Sequence, residues 1–199
     1  SIYTTGLAVI INTAKLGVAG HNTESPHHIT YHHVQAWRER KQSRICAHVK
    51  LSDRDGRPIH VFNTHLSLPT PFHRDFWRSK TRMGCGVNQV EEARALIEFV
   101  KGHAKGDPFV VCGDFNSPPD SPVCELLQSA GWLSPERRSK AGDRFSTAGF
   151  MRLRMHLDHI FASDAVKWSD LEGTASFGDK SSPFCGLSDH VPLIGRFRI

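Results

Sequence analysis

A mixed α/β layered fold is predicted by three observations. Short apolar runs recur along the chain, one long segment carries helical spacing, and the two kinds interleave in the order β–β–helix–β–helix–β–β. The 199 residues suffice for one domain, 1–199, with a sizeable core, and are too few to expect two. Hydrophobic residues make up 39%, which separates the chain from disordered ones. No apolar run approaches the ~20 residues that span a bilayer, so no transmembrane segment is expected.

The elements follow in order. Leu7-Ala8-Val9-Ile10-Ile11-Asn12-Thr13 reads as a buried strand. Residues 20–43 are polar and rich in histidine (His21, His27, His28, His32, His33), but the spacing matches no standard ligand pattern, and a loop is expected. Arg44 to Leu51 and Pro58 to Leu66 are β-rich runs, and Asp55-Gly56 between them signals a hairpin. From Asn88 to His103, Val90, Ala93, Leu96, Ile97 and Val100 recur at helical spacing, with Glu91 and Glu92 in the first turn and Gly102 and Gly106 as terminators. Pro108 to Cys112 is a short apolar strand, and Ser121 can cap a short helix to about Ala130. Leu157 to Phe161 and Val191 to Arg198 are the last two strands.

Net charge is +5 with histidines neutral. That balance suits anionic partners such as nucleic acid, phospholipid headgroups or phosphorylated small molecules, and equally a plain solubility charge. Five cysteines, Cys46, Cys85, Cys112, Cys124 and Cys185, form no C-x-x-C pair. They indicate neither a disulfide framework nor a zinc site. Ser1 is not followed by a basic segment and a long apolar stretch, so no signal peptide is read and a reducing cytoplasm is the default expectation.

Four short elements at strand ends carry the chemistry. They are Asn63-Thr64-His65-Leu66, Gly113-Asp114-Phe115-Asn116, Leu157-Asp158-His159-Ile160-Phe161 and Ser188-Asp189-His190-Val191-Pro192-Leu193. Phosphate esters are cleaved slowly because the transition state concentrates negative charge on phosphate oxygens. A hard cation neutralises that charge and prefers carboxylate and amide oxygens. The site must also orient a water and take its proton. Asp114 and Asn116 are two apart and share one face wherever the backbone is extended. Asp189 and His190 are adjacent, so in a strand they face opposite ways; they either do different work or sit in a bent segment. Taken singly, each motif also suits an ordinary turn or strand end.

The four motifs together, in this order, resemble the endonuclease/exonuclease/phosphatase superfamily, which includes DNase I, abasic-site endonucleases, neutral sphingomyelinases, inositol polyphosphate 5-phosphatases and deadenylases. The resemblance implies a DNase I-like four-layer α/β sandwich, two packed mixed sheets flanked by helices. It implies a Mg²⁺ (or Mn²⁺) dependent hydrolase of phosphate esters. Asp114 would activate or align the attacking water, and Asn116 would help bind phosphate. Asp189 would ligate the metal and His190 would meet the scissile phosphate, with Asp158 behind it fixing the tautomer and raising its pKa. His65 would be a second imidazole on the phosphate or the leaving group. Thr64 and Ser188 would orient their neighbours, and His159 is read as a bystander in its strand.

One departure bears on activity. Family members carry an early Asn and then a Glu that is the main metal ligand, and this sequence offers no counterpart: Glu24 lies in the polar loop and Glu39 in a basic segment. Leu7–Thr13 resembles the family strand that follows that Glu. The chain is therefore expected to be the C-terminal portion of the domain, incomplete at its N-terminus, and to bind metal and turn over substrate poorly by itself.

Substrate choice is expected to rest on the loop Leu68 to Gly86, which interleaves Phe72, His73, Arg74, Phe76, Trp77, Arg78, Lys80 and Arg82. Of these, Arg74, Trp77 and Arg78 are the candidate contacts. Aromatics among cations suit stacked bases and a phosphate backbone, a membrane interface, or a loop packed on its own domain. Ser117-Pro118-Pro119 after the Gly-Asp-Phe-Asn motif makes the inositol phosphatase branch less apt. The leading expectation is a phosphodiesterase, nuclease-like or sphingomyelinase-like. The rivals are a phosphomonoesterase on a sugar or inositol phosphate and a non-catalytic phosphate-binding module.

Overall fold

The computed structural model describes residues 6–29, 44–68, 83–135, 146–150, 152–172 and 177–199. Arg74, Trp77 and Arg78, the candidate substrate contacts, lie outside them. The frame is a six-stranded mixed sheet in the order β1-β3-β4-β5-β8, with β2 also on β3. Its strands are β1 (Gly17–His21), β2 (His27–His28), β3 (Ile45–Ser52), β4 (Pro58–His65), β5 (Phe109–Asp114) and β8 (Asp158–Ala162).

β3 and β4 form the expected antiparallel hairpin. Asp53 closes its turn by accepting the N–H groups of Asp55 and Arg57 on Oδ1, each at 2.9 Å, and Gly56 supplies the left-handed φ of 79°. β4 and β5 run parallel, so the chain must cross over between them, and helix α1 (Val87–Ala104) is that crossover. Lys105 (φ 49°) and Gly106 (φ 97°) end α1 in left-handed conformations. Helix α2 (Pro122–Ser129) has Pro122 in its first turn, and Ser121 Oγ accepts the Cys124 N–H at 3.4 Å.

Strand alternation gives the sheet two apolar faces. On one, Cys46, Phe62, Val111 and Phe161 join Leu96, Phe99 and Val100 of α1 and Leu127 of α2. Phe62 is fully buried with its ring edge-on to Phe99 at 5.8 Å, a position where truncation to Ala typically costs ~3–5 kcal/mol. On the other face Val49, Leu51, Ile59, Val110 and Ala162 are covered by Val9, Ile11, Leu16, Trp168 and Ile199. Trp168 belongs to β9 (Lys167–Glu172), which pairs antiparallel with β10 (Ile194–Arg198). A short hairpin, β6 (Ala148–Phe150) with β7 (Leu153–Met155), completes the strands. Helices on one face of a mixed sheet and strands on the other make this the expected α/β fold. Among the described residues no helix is long and apolar enough to cross a membrane.

Two expectations need correction. Leu7–Thr13 is not a paired strand: among the described residues no strand forms a ladder with it, the Asn63 side chain of β4 reaches it by donating Nδ2–H to Ala8 O at 3.0 Å, and the first ladder strand is Gly17–His21. Its apolar character is used on one side only, with Val9 and Ile11 against the sheet and Ile10 97% exposed. The closing strand starts at Ile194, because Val191 instead donates its N–H to Thr147 O at 2.8 Å.

Candidate active site

Three neighbouring strands bring one end each into register, the C-terminal ends of β4 and β5 and the start of β8, and the side chains there stand in a row. His65 of β4 pairs with Asp114 of β5 in the parallel ladder, and Asp114 pairs with Asp158 of β8 in the antiparallel one. By alternation all three lie on the face away from the helices. The approach depends on Gly113, whose φ is 146° and where a Cβ would sit 1.9 Å from Thr64 O. Only a residue without a side chain lets β5 come that close.

His190 arrives from the chain between β9 and β10. It bridges Ala148, while Gly149 N–H donates to Asp189 O at 3.0 Å and Ser188 Oγ accepts the His190 N–H at 3.0 Å. Its Nδ1–H then donates to Asp158 Oδ2 at 2.8 Å. The opposite ring nitrogen, Nε2, is 3.9 Å from Asp114 Oδ2, and His65 Nε2 is 3.4 Å from the same oxygen. Asp114 thus lies between two imidazoles.

The electrostatics differ along the row. Burial, then the nearby Asp158 charge, pushes the Asp114 carboxyl up to about 6, against the Asn116 N–H and the cations His190 and Arg44. The hydrogen bond to Asp158 lifts His190 to about 8. Burial, with the Arg44 and His190 charges, lowers His65 to about 4. At neutral pH one imidazole is therefore protonated and the other neutral, a separation of roles that environment alone produces.

Asn116 has φ 48° and is 4% exposed. Its N–H donates to Asp114 Oδ1 at 2.8 Å and its Nδ2 donates to Leu66 O at 2.9 Å. One amide hydrogen is thus spent inside the protein, and the visible work of Asn116 is to hold Asp114. Asp189, expected as a metal ligand, is exposed and stands outside the cluster that could grip an ion. That cluster is Asp114, Asp158 and His190, with one potential ligand atom each, all within 4.8 Å of one another. Asp189 sits in a bend just before His190, with Ser188 Oγ 3.5 Å from its Oδ1, and its charge helps to raise the His190 pKa. His159 is 2% exposed on the helix side, its Nε2 2.7 Å from Ser117 O. Thr64 Oγ1 donates to Ile45 O at 3.2 Å and so anchors the end of β4.

The donor set suits a hard cation. A buried carboxyl pushed upward beside a second carboxylate is a place where positive charge is wanted, and Mg²⁺ characteristically takes one or two carboxylates and fills its remaining positions with water and phosphate.

Thr147 was not legible from sequence. It is fully buried, its Oγ1 accepts the N–H groups of Leu157 and Asp158 at 2.9 and 3.0 Å, and its carbonyl takes Val191 N–H, so it ties the strand of Asp158 to the segment of His190. A single Thr in a polar stretch gives no signal of this. Arg44 (6% exposed), Gln89 and Glu92 were likewise missed.

Comparison with known proteins places the chain. The Endonuclease/Exonuclease/phosphatase family matches residues 3–190. Nocturnin of Drosophila melanogaster is 30% identical over 132 residues, 62% of this chain and 17% of that protein. The human Nocturnin catalytic domain with bound sulfate superposes with a TM-score of 0.64 at 18% identity, covering 93% of this chain and 61% of that one. ANGEL2, a 2',3'-cyclic phosphatase in complex with adenosine-2',3'-vanadate, gives 0.63 at 17% identity, over 92% and 68%. The chain therefore spans about three fifths of the human Nocturnin domain and a small part of the fly protein.

Proposed function

We propose, since the chain belongs to the endonuclease/exonuclease/phosphatase family over residues 3–190, that it carries the site of a divalent-metal-dependent phosphodiesterase, nuclease-like or sphingomyelinase-like. The observation that carries this reading is Asp114 flanked by the Nε2 atoms of His65 and His190 at 3.4 and 3.9 Å.

In this reading a water oxygen bonds to phosphorus, with Asp114 aligning the water and taking its proton. His190, cationic and steadied by Asp158, donates Nε2–H to a phosphate oxygen. Neutral His65 donates to the phosphate on the side of the leaving oxygen. The P–O bond to the leaving group breaks, and the alkoxide is reprotonated from water. Asn116 keeps Asp114 aimed, and its side-chain amide would help bind the phosphate. Mg²⁺ or Mn²⁺, held by the Asp114 and Asp158 carboxylates, would supply charge neutralisation at the phosphoryl oxygens.

Two features support an anionic substrate, the net charge of +5 and the similarity to a 2',3'-cyclic phosphatase captured with a nucleoside vanadate. Five unpaired cysteines support a reducing compartment such as the cytoplasm.

The substrate class is tested by incubating the chain with millimolar Mg²⁺ and, separately, supercoiled plasmid, sphingomyelin and a sugar phosphate. Nicked plasmid or released phosphocholine supports the diesterase reading. Release of inorganic phosphate from the sugar alone would replace it with a phosphomonoesterase. Phosphate binding without turnover of any substrate would leave a non-catalytic module.

A further inference from the structure

We infer that Gln89 and Glu92, one turn apart in the first two turns of α1, are positioning residues for Asp114. This rests on the reading that Asp114 acts on the substrate. Both side chains are buried, at 2% and 0% exposure, although the helix they begin has an exposed face that would have suited them. Burying an amide and a carboxylate is costly unless each is fully bonded, so the partners of each are informative.

Glu92 accepts from Ser67 twice, the N–H on Oε2 at 2.7 Å and the hydroxyl on Oε1 at 2.5 Å. Ser67 follows Leu66, whose carbonyl takes Asn116 Nδ2 and whose N–H donates to Asp114 O at 2.9 Å. Gln89 Nε2 donates to Asn116 O at 2.9 Å, while its Oε1 accepts the N–H groups of Gly84 at 2.9 Å and Gly86 at 3.4 Å. The bonds close a circuit: from α1 through Glu92 to the exit of β4, across to Asn116, and back to α1 through Gln89. Asp114 sits inside it, held by its carbonyl at Leu66 and by Oδ1 at the Asn116 N–H. Asn116 is in a left-handed conformation, which Asn tolerates better than most residues, and Gln89 holds its carbonyl there directly while Glu92 holds the neighbouring exit of β4 through Ser67. The crossover helix thus does more than join two parallel strands. It sets where the carboxylate of the second one points.

The test pairs steady-state kinetics with amide hydrogen exchange in Gln89→Ala, Glu92→Gln, Glu92→Ala and Ser67→Ala. In Gln89→Ala and Glu92→Ala, kcat on an aryl phosphodiester is expected to fall by about tenfold or more with KM within about twofold, the pattern of an interaction made in the transition state. Glu92→Gln, which keeps an acceptor oxygen for Ser67, is expected to recover part of the loss. Exchange at the Ser67 and Asn116 amides is expected to rise by about tenfold in Gln89→Ala while the β3 amides are unchanged. If Glu92→Ala does not fold, Ser67→Ala removes only the hydroxyl bond and carries the same expectation in weaker form. Wild-type kcat in folded Gln89→Ala and Ser67→Ala, or a rise in exchange spread evenly over α1 and β3, would overturn the inference. If wild type hydrolyses no phosphate ester, the functional reading fails while the exchange measurement still decides the positioning.

Discussion

His190 donates through Nδ1 to Asp158 Oδ2 at 2.8 Å, which fixes the tautomer and presents Nε2 toward Asp114. The two residues are 32 positions apart in sequence, and the bond spans from β8 to the chain before β10. It is also the largest reason that the His190 pKa stands at about 8.

Replacing Asp158 by Asn removes the charge and lets the amide present either a donor or an acceptor to Nδ1. The expected result is a fall in kcat of roughly 10²- to 10⁴-fold, comparable to other losses of a carboxylate behind a histidine. The His190 ring, followed by NMR across pH, is expected to titrate well below 8 in this variant. An unchanged titration would separate the bond from the pKa.

Gly113→Ala is expected to be severe. Its Cβ would lie 1.9 Å from Thr64 O, backbone that cannot swing away, and φ is 146°. Either β5 separates from β4 or the strand distorts, and both break the row of His65 and Asp114. A loss of at least about 3 kcal/mol is expected in urea unfolding.

How much of this was readable beforehand depends on whether the information was local. The β3–β4 hairpin was legible because Asp55-Gly56 and Pro58 punctuate it. α1 was legible because its apolar residues keep helical spacing. β9 was not: Lys167-Trp168-Ser169-Asp170-Leu171-Glu172 is too polar to announce a strand, and its pairing is supplied by β10. Leu7–Thr13 failed in the opposite sense, since apolar composition reports burial preference and says nothing of a hydrogen-bonding neighbour. At the site, His65, Asp114, Asp158 and His190 could be named from short motifs, and the ladder register brings them together. Glu92 could not. A Glu near the start of a helix looks like a solvated charge, and only the fold shows it in the second turn, turned inward to Ser67.

Stability is expected to fall in mild acid because of a histidine cluster remote from the catalytic row. His48 is 8% exposed, stacked on Phe62, with Nε2 at 2.9 Å from His60 Nδ1 and the His103 ring 5.0 Å away. Burial, then the charges that His60, His103 and Lys50 would carry, lowers its pKa to about 4. The folded protein holds this ring neutral, while the unfolded chain protonates it near ~6.5. Its stabilisation is therefore complete above ~6.5 and is lost progressively as pH falls toward 4, by up to about 3 kcal/mol. Urea midpoints at pH 7.5 and 4.5 measure the difference. His48→Gln is expected to reduce it, and an equal pH response in that variant would assign the effect elsewhere.

The most direct measurement is release of the aryl alcohol from a simple aryl phosphodiester at millimolar Mg²⁺, by wild type, Asp114→Ala and His190→Ala side by side. Turnover is predicted that is slow, since no counterpart of the family's metal-binding Glu is present in the sequence, that requires the metal, and that drops at least about a hundredfold in each variant. Turnover that survives either substitution, or none from the wild-type chain, would contradict a phosphate ester held and cleaved between His65, Asp114 and His190.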